Sequence, residues 1–287
     1  MNTYQKSLYK RFEKFRQVPK WSVYPPYHSG DYLEEYFIKY FESNNVETKK
    51  YFIPVAWSSC YINSKDAVQQ ELQSILDSLD QSVEYFTVST HDDAPRERLP
   101  KNTVSFSAGG NKGNIPIPLV VSKIPFVKPQ QKKYLASFVG SLTHPLRQLL
   151  LQKHSNNSSF YFNGKQWSPD VSKKSVDEFF DITSQSYFSF APRGYGKTSY
   201  RLYEIMQLGA VPVYLSDHFW LPWKDEIDWK SICIFINEKN IADIDIILKK
   251  ELYSKEYYKK IETINKIYDQ YFTIEATTKK IIEAVNK

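Results

Sequence analysis

Hydrophobic and polar positions along the chain alternate between two periods. Short apolar runs occur at Tyr51–Ala56 (YFIPVA), Val83–Val88 (VEYFTV) and Val104–Ser107. Between the first two lies DAVQQELQSILDSL, whose apolar residues recur at helical spacing. A strand–helix–strand order of this kind marks an α/β layer. Upstream, about the first 20 residues are polar, and Pro25-Pro26 stop any preceding helix. Asp31 then stands where it would cap an amphipathic helix from Tyr32 to Phe41. Phe126–Lys133 (FVKPQQKK) is polar, contains a proline and reads as a linker, after which the alternation restarts. Strands are expected at Tyr134–Val139, Phe160–Phe162, Tyr187–Phe190, Val211–Leu215 and Ile232–Ile236, with helices at Pro145–Leu151 and Ser199–Leu208. About the last 45 residues are strongly helical in pattern. The simplest organisation is two α/β halves, residues 1–128 and 129–260, with a C-terminal helix over 261–287 packing back toward the first half. Ligands of such sheets sit at the carboxyl ends of the strands, here in the cleft between the halves.

Composition narrows the class. The chain has 287 residues, 41% hydrophobic and 24% charged, which fits a folded soluble protein and excludes disorder as the main state. No apolar run reaches about 18 residues, so no membrane span is expected. The charged start, MNTYQKSLYKRFEKFRQ, lacks the apolar core of a secretory signal, and a cytoplasmic location is the expectation. Cys60 and Cys233 are too few for a disulfide framework or zinc site and read as buried free thiols. Net charge is 38 − 32 = +6, with the basic residues dispersed rather than gathered into a tail. That pattern suits a small anionic ligand and gives no reason to expect a nucleic-acid partner. Aromatics make up 16% of the chain, most of them core material, with Tyr27, Trp57 and Trp220 as faces on which a sugar ring would stack.

The chemistry concentrates in Tyr187–Trp223, YFSFAPRGYGKTSYRLYEIMQLGAVPVYLSDHFWLPW, which reads strand, glycine-containing loop, helix, strand, loop. Gly194 and Gly196 let the backbone approach a ligand, and Arg193, Lys197 and Arg201 surround the loop with cations suited to phosphate oxygens. The stretch Ala191–Thr198 ends in G-K-T like a P-loop, which makes a nucleotide hydrolase or kinase an alternative reading. It lacks the first glycine, comes two-thirds along the chain, and no later strand ends in a magnesium-holding acid, since Ile232–Ile236 runs into Asn237 and Glu238. Arg201 and Glu204, three apart, share one helix edge. There an arginine neutralises a diphosphate and a carboxylate one turn later accepts hydrogen bonds from ribose hydroxyls; a plain surface ion pair is the other reading.

Taken together, Pro192-x-Gly194, Ser199-x-Arg201-Leu202-x-Glu204, Gly209-x-Val211-Pro212-Val213 and Ser216-Asp217 with Leu221-Pro222 resemble the C-terminal signature of the exostosin-like proteins, glycosyltransferase family 47. Upstream, Glu35-Tyr36-Phe37 is similar to the family's early E-x-F helix, Thr90-His91-Asp92 to its His-Asp step, and Phe138-Val139-Gly140 with Arg147 to its F-x-G…R element. The resemblance implies a GT-B fold, two Rossmann-like domains facing across a cleft, with the acceptor bound by the N-terminal and the nucleotide-sugar by the C-terminal domain. It also implies inverting, metal-independent transfer of a sugar from a UDP-sugar to a hydroxyl of an oligosaccharide or glycoprotein glycan, with no tightly bound cofactor. Xylose is the first donor sugar to expect, because the loop and helix most resemble xylan-type members. Donor contacts implied by position are Arg147, Arg193, Gly194, Tyr195, Thr198, Ser199, Arg201 and Glu204. The family's usual cysteine before the I/V-P-V strand is Ala210 here, and the membrane anchor of Golgi members is not in this sequence.

Inverting transfer needs a base that takes the acceptor proton during attack. Asp92 is the first choice, flanked by His91 and Asp93 after the run VEYFTVST; the competing reading is ordinary turn chemistry of D-D-A-P. His28, Asp31 and Glu35 form the candidate acceptor-binding patch. A non-catalytic glycan-binding module is the remaining alternative. No metal site is expected, because H-D-D is not a D-x-D motif.

Overall fold

Two separate parallel sheets organise the chain. The computed structural model describes residues 1–16, 32–63, 66–120, 123–124, 127–128, 130–168, 171–216 and 218–287. In chain order the elements are α1 (Thr3–Arg11), α2 (Leu33–Ser43), β1 (Tyr51–Phe52), α3 (Trp57–Asn63), α4 (Asp66–Asp77), β2 (Tyr85–Ser89), β3 (Thr103–Ser107) and β4 (Ile115–Pro116). There follow β5 (Tyr134–Ser141), α5 (Pro145–His154), β6 (Phe160–Lys165), α6 (Lys173–Ser184), β7 (Ser186–Pro192), α7 (Arg201–Gln207), β8 (Val211–Leu215), β9 (Ile234–Ile236), α8 (Ile244–Tyr253), α9 (Glu256–Tyr271) and α10 (Ile274–Asn286). The result is an α/β protein with two Rossmann-like sets. Ile274–Lys287 belongs with the first set and Lys123–Thr273 forms the second. Among the described residues no helix is long and apolar enough to cross a membrane.

The first sheet has the order β1-β2-β3-β4, all parallel, with Tyr85 opposite Thr103 and Ser89 opposite Ser107. Helix α2 buries Leu33, Phe37, Ile38 and Phe41. Phe37 meets Phe52 at 5.0 Å and Phe86 at 6.1 Å between ring centres, so the high aromatic content is indeed core. Each such ring contributes roughly 1.5–3 kcal/mol by burial. Tyr32 occupies the cap position of α2, and Asp31 lies outside the described residues. Pro54 has no N–H to continue a ladder, which is why YFIPVA yields a strand of only two residues before α3 begins. Helix α1 comes from a stretch that looked merely polar: its stripe Leu8, Phe12 and Phe15 is buried, and Gln5 takes both main-chain groups of Phe52, donating to its carbonyl and accepting from its N–H at 2.8 Å each. Helix α10 buries Ile274, Thr277, Thr278, Ile281 and Val285, and Asn286 accepts a hydrogen bond from the Lys49 N–H at 3.0 Å.

The second sheet runs β6-β5-β7-β8-β9, again parallel. The chain leaves β5 through α5 to β6 on one side, then returns through α6 to β7 on the other. The strand order therefore reverses between β5 and β7, and the carboxyl ends of those two strands are the topological switch point where open α/β sheets bind ligands. Lys132, in the stretch read as linker, is anchored: its ammonium donates to Ser184 O, Ser186 O and Gly209 O at 3.0, 2.9 and 2.7 Å, and burial pushes its pKa down to about 8. Gly209 has φ of +69° because it closes α7 in a Schellman turn, with Ala210 N bonded to Ile205 O and Gly209 N to Met206 O. Cys60 and Cys233 are buried free thiols, both pushed up to about 12 by burial.

Candidate active site

The switch point brings together residues far apart in sequence. Arg201, the first residue of α7, lays its guanidinium against the end of β5, where Nε and Nη2 both donate to Val139 O at 3.0 and 2.7 Å. The rings of Phe138 and Phe179 hold the cation at 5.6 and 5.2 Å. Gly140 is glycine for a local reason: a Cβ there would overlap the Arg201 guanidinium. Two segments picked out in the sequence, Phe138-Val139-Gly140 and Arg201, are thus one contact.

Arg147, on α5 and 4% exposed, braces the same edge. Its Nη1 donates to Ser141 O at 2.7 Å, its Nη2 to Pro192 O at 3.1 Å and its Nε to Arg193 O at 3.0 Å, so it fixes the loop after β7 through main-chain carbonyls. Gly194 leaves room for it, since a Cβ would come within 3.3 Å of Nη2. The loop itself is short. Ala191 and Pro192 are still paired in the sheet, opposite Tyr214 and Leu215, and Gly194 N–H bonds Thr198 O at 3.3 Å. Arg193 folds back on the loop, donating to Gly194 O and Tyr195 O, while Tyr195 is 63% exposed. The Tyr214 hydroxyl lies 2.8 Å from Lys197 O and 3.2 Å from His218 O, which ties this loop to the one after β8. Lys197 stands over the Trp220 ring at 5.1 Å. A P-loop cradle needs free N–H groups and an available lysine, and this loop has turned both inward. Ser199 accepts from Arg201 N, and the buried Thr198 hydroxyl has no hydrogen-bond partner among the described residues.

Glu204 lies one turn beyond Arg201 and is 4% exposed; desolvation raises its pKa to about 8. The folded protein therefore keeps a proton on Glu204 that the unfolded chain, titrating near 4.5, has lost. Between those values the native state binds more protons, so this group makes stability fall as pH rises, by up to about 1.4 kcal/mol per pH unit crossed. Urea unfolding of wild type and Glu204→Gln at pH 5 and pH 8 is expected to show the variant gaining on wild type toward pH 8; a constant gap overturns the assignment.

In the first set, His91, Asp92 and Asp93 follow β2. His91 Nδ1 accepts the Asp93 N–H at 3.1 Å, and its ring packs edge-on to Tyr61 at 5.1 Å. Burial, with Arg96 nearby, pushes its pKa down, so the ring is neutral with its proton on Nε2. Asp93 accepts from Asn111 Nδ2 at 3.0 Å and faces Arg96 at 3.6 Å. Asp92 is held by its backbone: its carbonyl takes Asn111 N–H at 3.0 Å, and a Cβ on Gly109 would overlap its Cα. Glu35 forms a surface pair with Lys39 at 3.0 Å, whereas its neighbour Glu34, which sequence reasoning passed over, is the buried carboxylate of α2. The signal was there: Glu34 shares an i,i+4 column with buried Ile38, and Glu35 shares one with Lys39. Trp57 is core, donating to Thr87 Oγ1 at 2.8 Å. His28, Asp31, Tyr27 and Asp217 lie outside the described residues. Among the described residues no group of three His, Cys, Asp or Glu side chains is placed to hold a metal ion.

Comparison with known proteins follows the same residues. The exostosin GT47 domain model matches residues 100–250, more than half of the chain. An exostosin-1 homolog of Caenorhabditis elegans is 29% identical over 160 residues, covering 49% of this chain and 41% of the relative. A probable glucuronosyltransferase of Oryza sativa subsp. japonica is 28% identical over 143 residues, 46% of this chain and 31% of the relative. A probable β-1,4-xylosyltransferase of Arabidopsis thaliana is 32% identical over 79 residues, 28% of this chain and 19% of the relative. The chain thus matches less than half the length of each of these relatives. Among solved structures, an α-glucosyltransferase in complex with UDP and a 13-mer DNA superposes with a TM-score of 0.46 at 14% identity, covering 89% of this chain and 84% of that one. TarM gives 0.45 at 11% identity, covering 78% and 47%. The matched span of the family model contains Gly140, Arg147, the Arg193–Ser199 loop, Arg201 and Glu204, and the chain belongs to the exostosin GT47 family.

Proposed function

We propose that this protein is an inverting, metal-independent glycosyltransferase of GT-B type that moves a sugar from a UDP-sugar to a hydroxyl of a glycan. In this reading the second set binds the donor and the first supplies the carboxylate that takes the acceptor proton. The observation that carries it is the Arg201 guanidinium held against Gly140 at the β5–β7 switch point. Two of its five N–H groups fix its plane, and a fixed cation there stabilises a diphosphate and the charge left on UDP as the glycosidic bond breaks. Arg147 shapes the loop, the unpartnered Thr198 hydroxyl supplies a polar contact to the phosphates, and Arg193, Gly194, Tyr195 and Ser199 line it. Glu204, its carboxyl raised by burial, takes the ribose hydroxyls; so large a shift beside a ligand edge is characteristic of functional sites. Xylose is the first donor sugar to screen and glucuronic acid the second, in keeping with the names of the plant relatives.

The test is calorimetric titration with UDP, and separately ATP, each in EDTA and in Mg²⁺. UDP is expected to bind equally well in EDTA, with ATP inert. Binding of ATP only with Mg²⁺ would return the G-K-T loop to the P-loop reading, and UDP binding only with a divalent ion would remove the metal-independent mechanism.

A further inference from the structure

We propose that Glu34 is the positioning residue of the loop that carries Asp92. Its carboxylate, 4% exposed, accepts four hydrogen bonds. Oε2 takes the Ser58 N–H at 2.9 Å; Oε1 takes Ser58 Oγ at 2.9 Å, the Thr90 N–H at 2.6 Å and Thr90 Oγ1 at 3.0 Å. The Ser58 and Thr90 hydroxyls lie 3.0 Å apart and close the ring. Ser58 is the second residue of α3, so one of the unsatisfied N–H groups at that helix start finds its acceptor in Glu34. Thr90 is the residue between the end of β2 and His91. One buried side chain on α2 therefore pins the start of α3 and the exit of β2 together.

The chemistry requires a carboxylate. Both main-chain groups facing it are donors, and a carboxylate is acceptor-only with four lone-pair positions. Burial pushes the Glu34 pKa up, and the hydrogen bonds from Thr90 and Ser58 oppose that. A glutamine keeps one acceptor but turns an NH₂ toward the Ser58 N–H or the Thr90 N–H.

Asp92 is thus held from both sides: Glu34 fixes residue 90 upstream, and Asn111 with Gly109 grips its backbone downstream. A base must be placed to about 0.5 Å, and an error of about 1 Å in a reacting group costs on the order of 10²-fold in rate. Glu34 touches no substrate in this scheme; it acts through Thr90. The kinetic part rests on the reading of Asp92 as base, whereas the loop-holding part stands on the hydrogen bonds alone.

The experiment compares Glu34→Gln with Glu35→Ala, using amide hydrogen exchange of residues 90–93, kcat and KM for donor and acceptor, and thermal unfolding. Glu34→Gln is expected to speed exchange at Thr90 at least tenfold and lower kcat at least tenfold, with the donor KM within about twofold of wild type. Glu35→Ala should change none of these. Unchanged exchange in folded Glu34→Gln overturns the proposal, as does a loss of rate that appears equally in Glu35→Ala or wholly in the donor KM. If Glu34→Gln does not unfold cooperatively, Thr90→Val, which deletes one of the four bonds, carries the test: the same pattern is expected at several-fold size, and wild-type exchange overturns the proposal. Normal turnover by Asp92→Asn alongside fast exchange in Glu34→Gln would instead reject Asp92 as base and leave Glu34 a holder of the loop.

Discussion

Asp92→Asn is expected to lower sugar transfer by about 10²–10⁴-fold while leaving UDP affinity within about twofold of wild type. The substitution is nearly isosteric, and what holds Asp92 in place is its backbone: the Asn111 N–H on its carbonyl and the close approach of Gly109. Loop geometry should therefore survive while the proton acceptor is lost. The neighbours do not replace it. His91 has its Nδ1 engaged by the Asp93 N–H, which leaves Nε2 as a proton donor, and Asp93 is occupied by Asn111 and Arg96. Initial rates of sugar transfer, read beside UDP calorimetry, make the test. Normal turnover places the base elsewhere; a parallel loss of UDP affinity means that the variant damaged the protein rather than the chemistry.

How far the sequence discloses this molecule depends on how local each feature is. Strand β8 coincides with the expected Val211–Leu215, and β2, β3, β5 and β7 fall within about two residues of expectation. Strands buried in parallel sheets read as continuous apolar runs, so period and position are both visible. Helix α1 was missed because lysines and arginines dilute its Leu8–Phe12–Phe15 stripe, and β4, two residues long, carries no pattern at all. Arg201, Glu204, Gly194 and Gly140 were all legible as a pattern, but the reason for Gly140 was not. Its partner lies 61 residues further on, and only the strand order β5-β7 brings the two together. Glu34 was hidden by its neighbour: two adjacent glutamates differ only in helical phase, and the phase is settled by what packs on Ile38.

The contact between Gly140 and Arg201 leads to the strongest expectation for the donor site. Arg201→Ala removes a cation that would make two charge-assisted hydrogen bonds to phosphate, each worth about 1.5–3 kcal/mol, so UDP affinity is expected to fall on the order of 10²-fold or more. Gly140→Ala should produce a comparable loss with the arginine still present. Its added methyl would occupy the guanidinium's position, and the cation cannot simply slide aside: Phe138 and Phe179 flank it and Val139 O holds two of its N–H groups. Wild-type UDP affinity in Arg201→Ala would take Arg201 out of the donor site. Wild-type affinity in Gly140→Ala alone would mean that the guanidinium binds UDP equally well from a shifted position. The double variant separates a shared cause from two independent ones. If both substitutions act by removing the same cation from the same place, Gly140→Ala/Arg201→Ala binds UDP no worse than Arg201→Ala, because the methyl then fills space that the arginine has vacated; additive losses would assign Gly140 a separate part in donor binding.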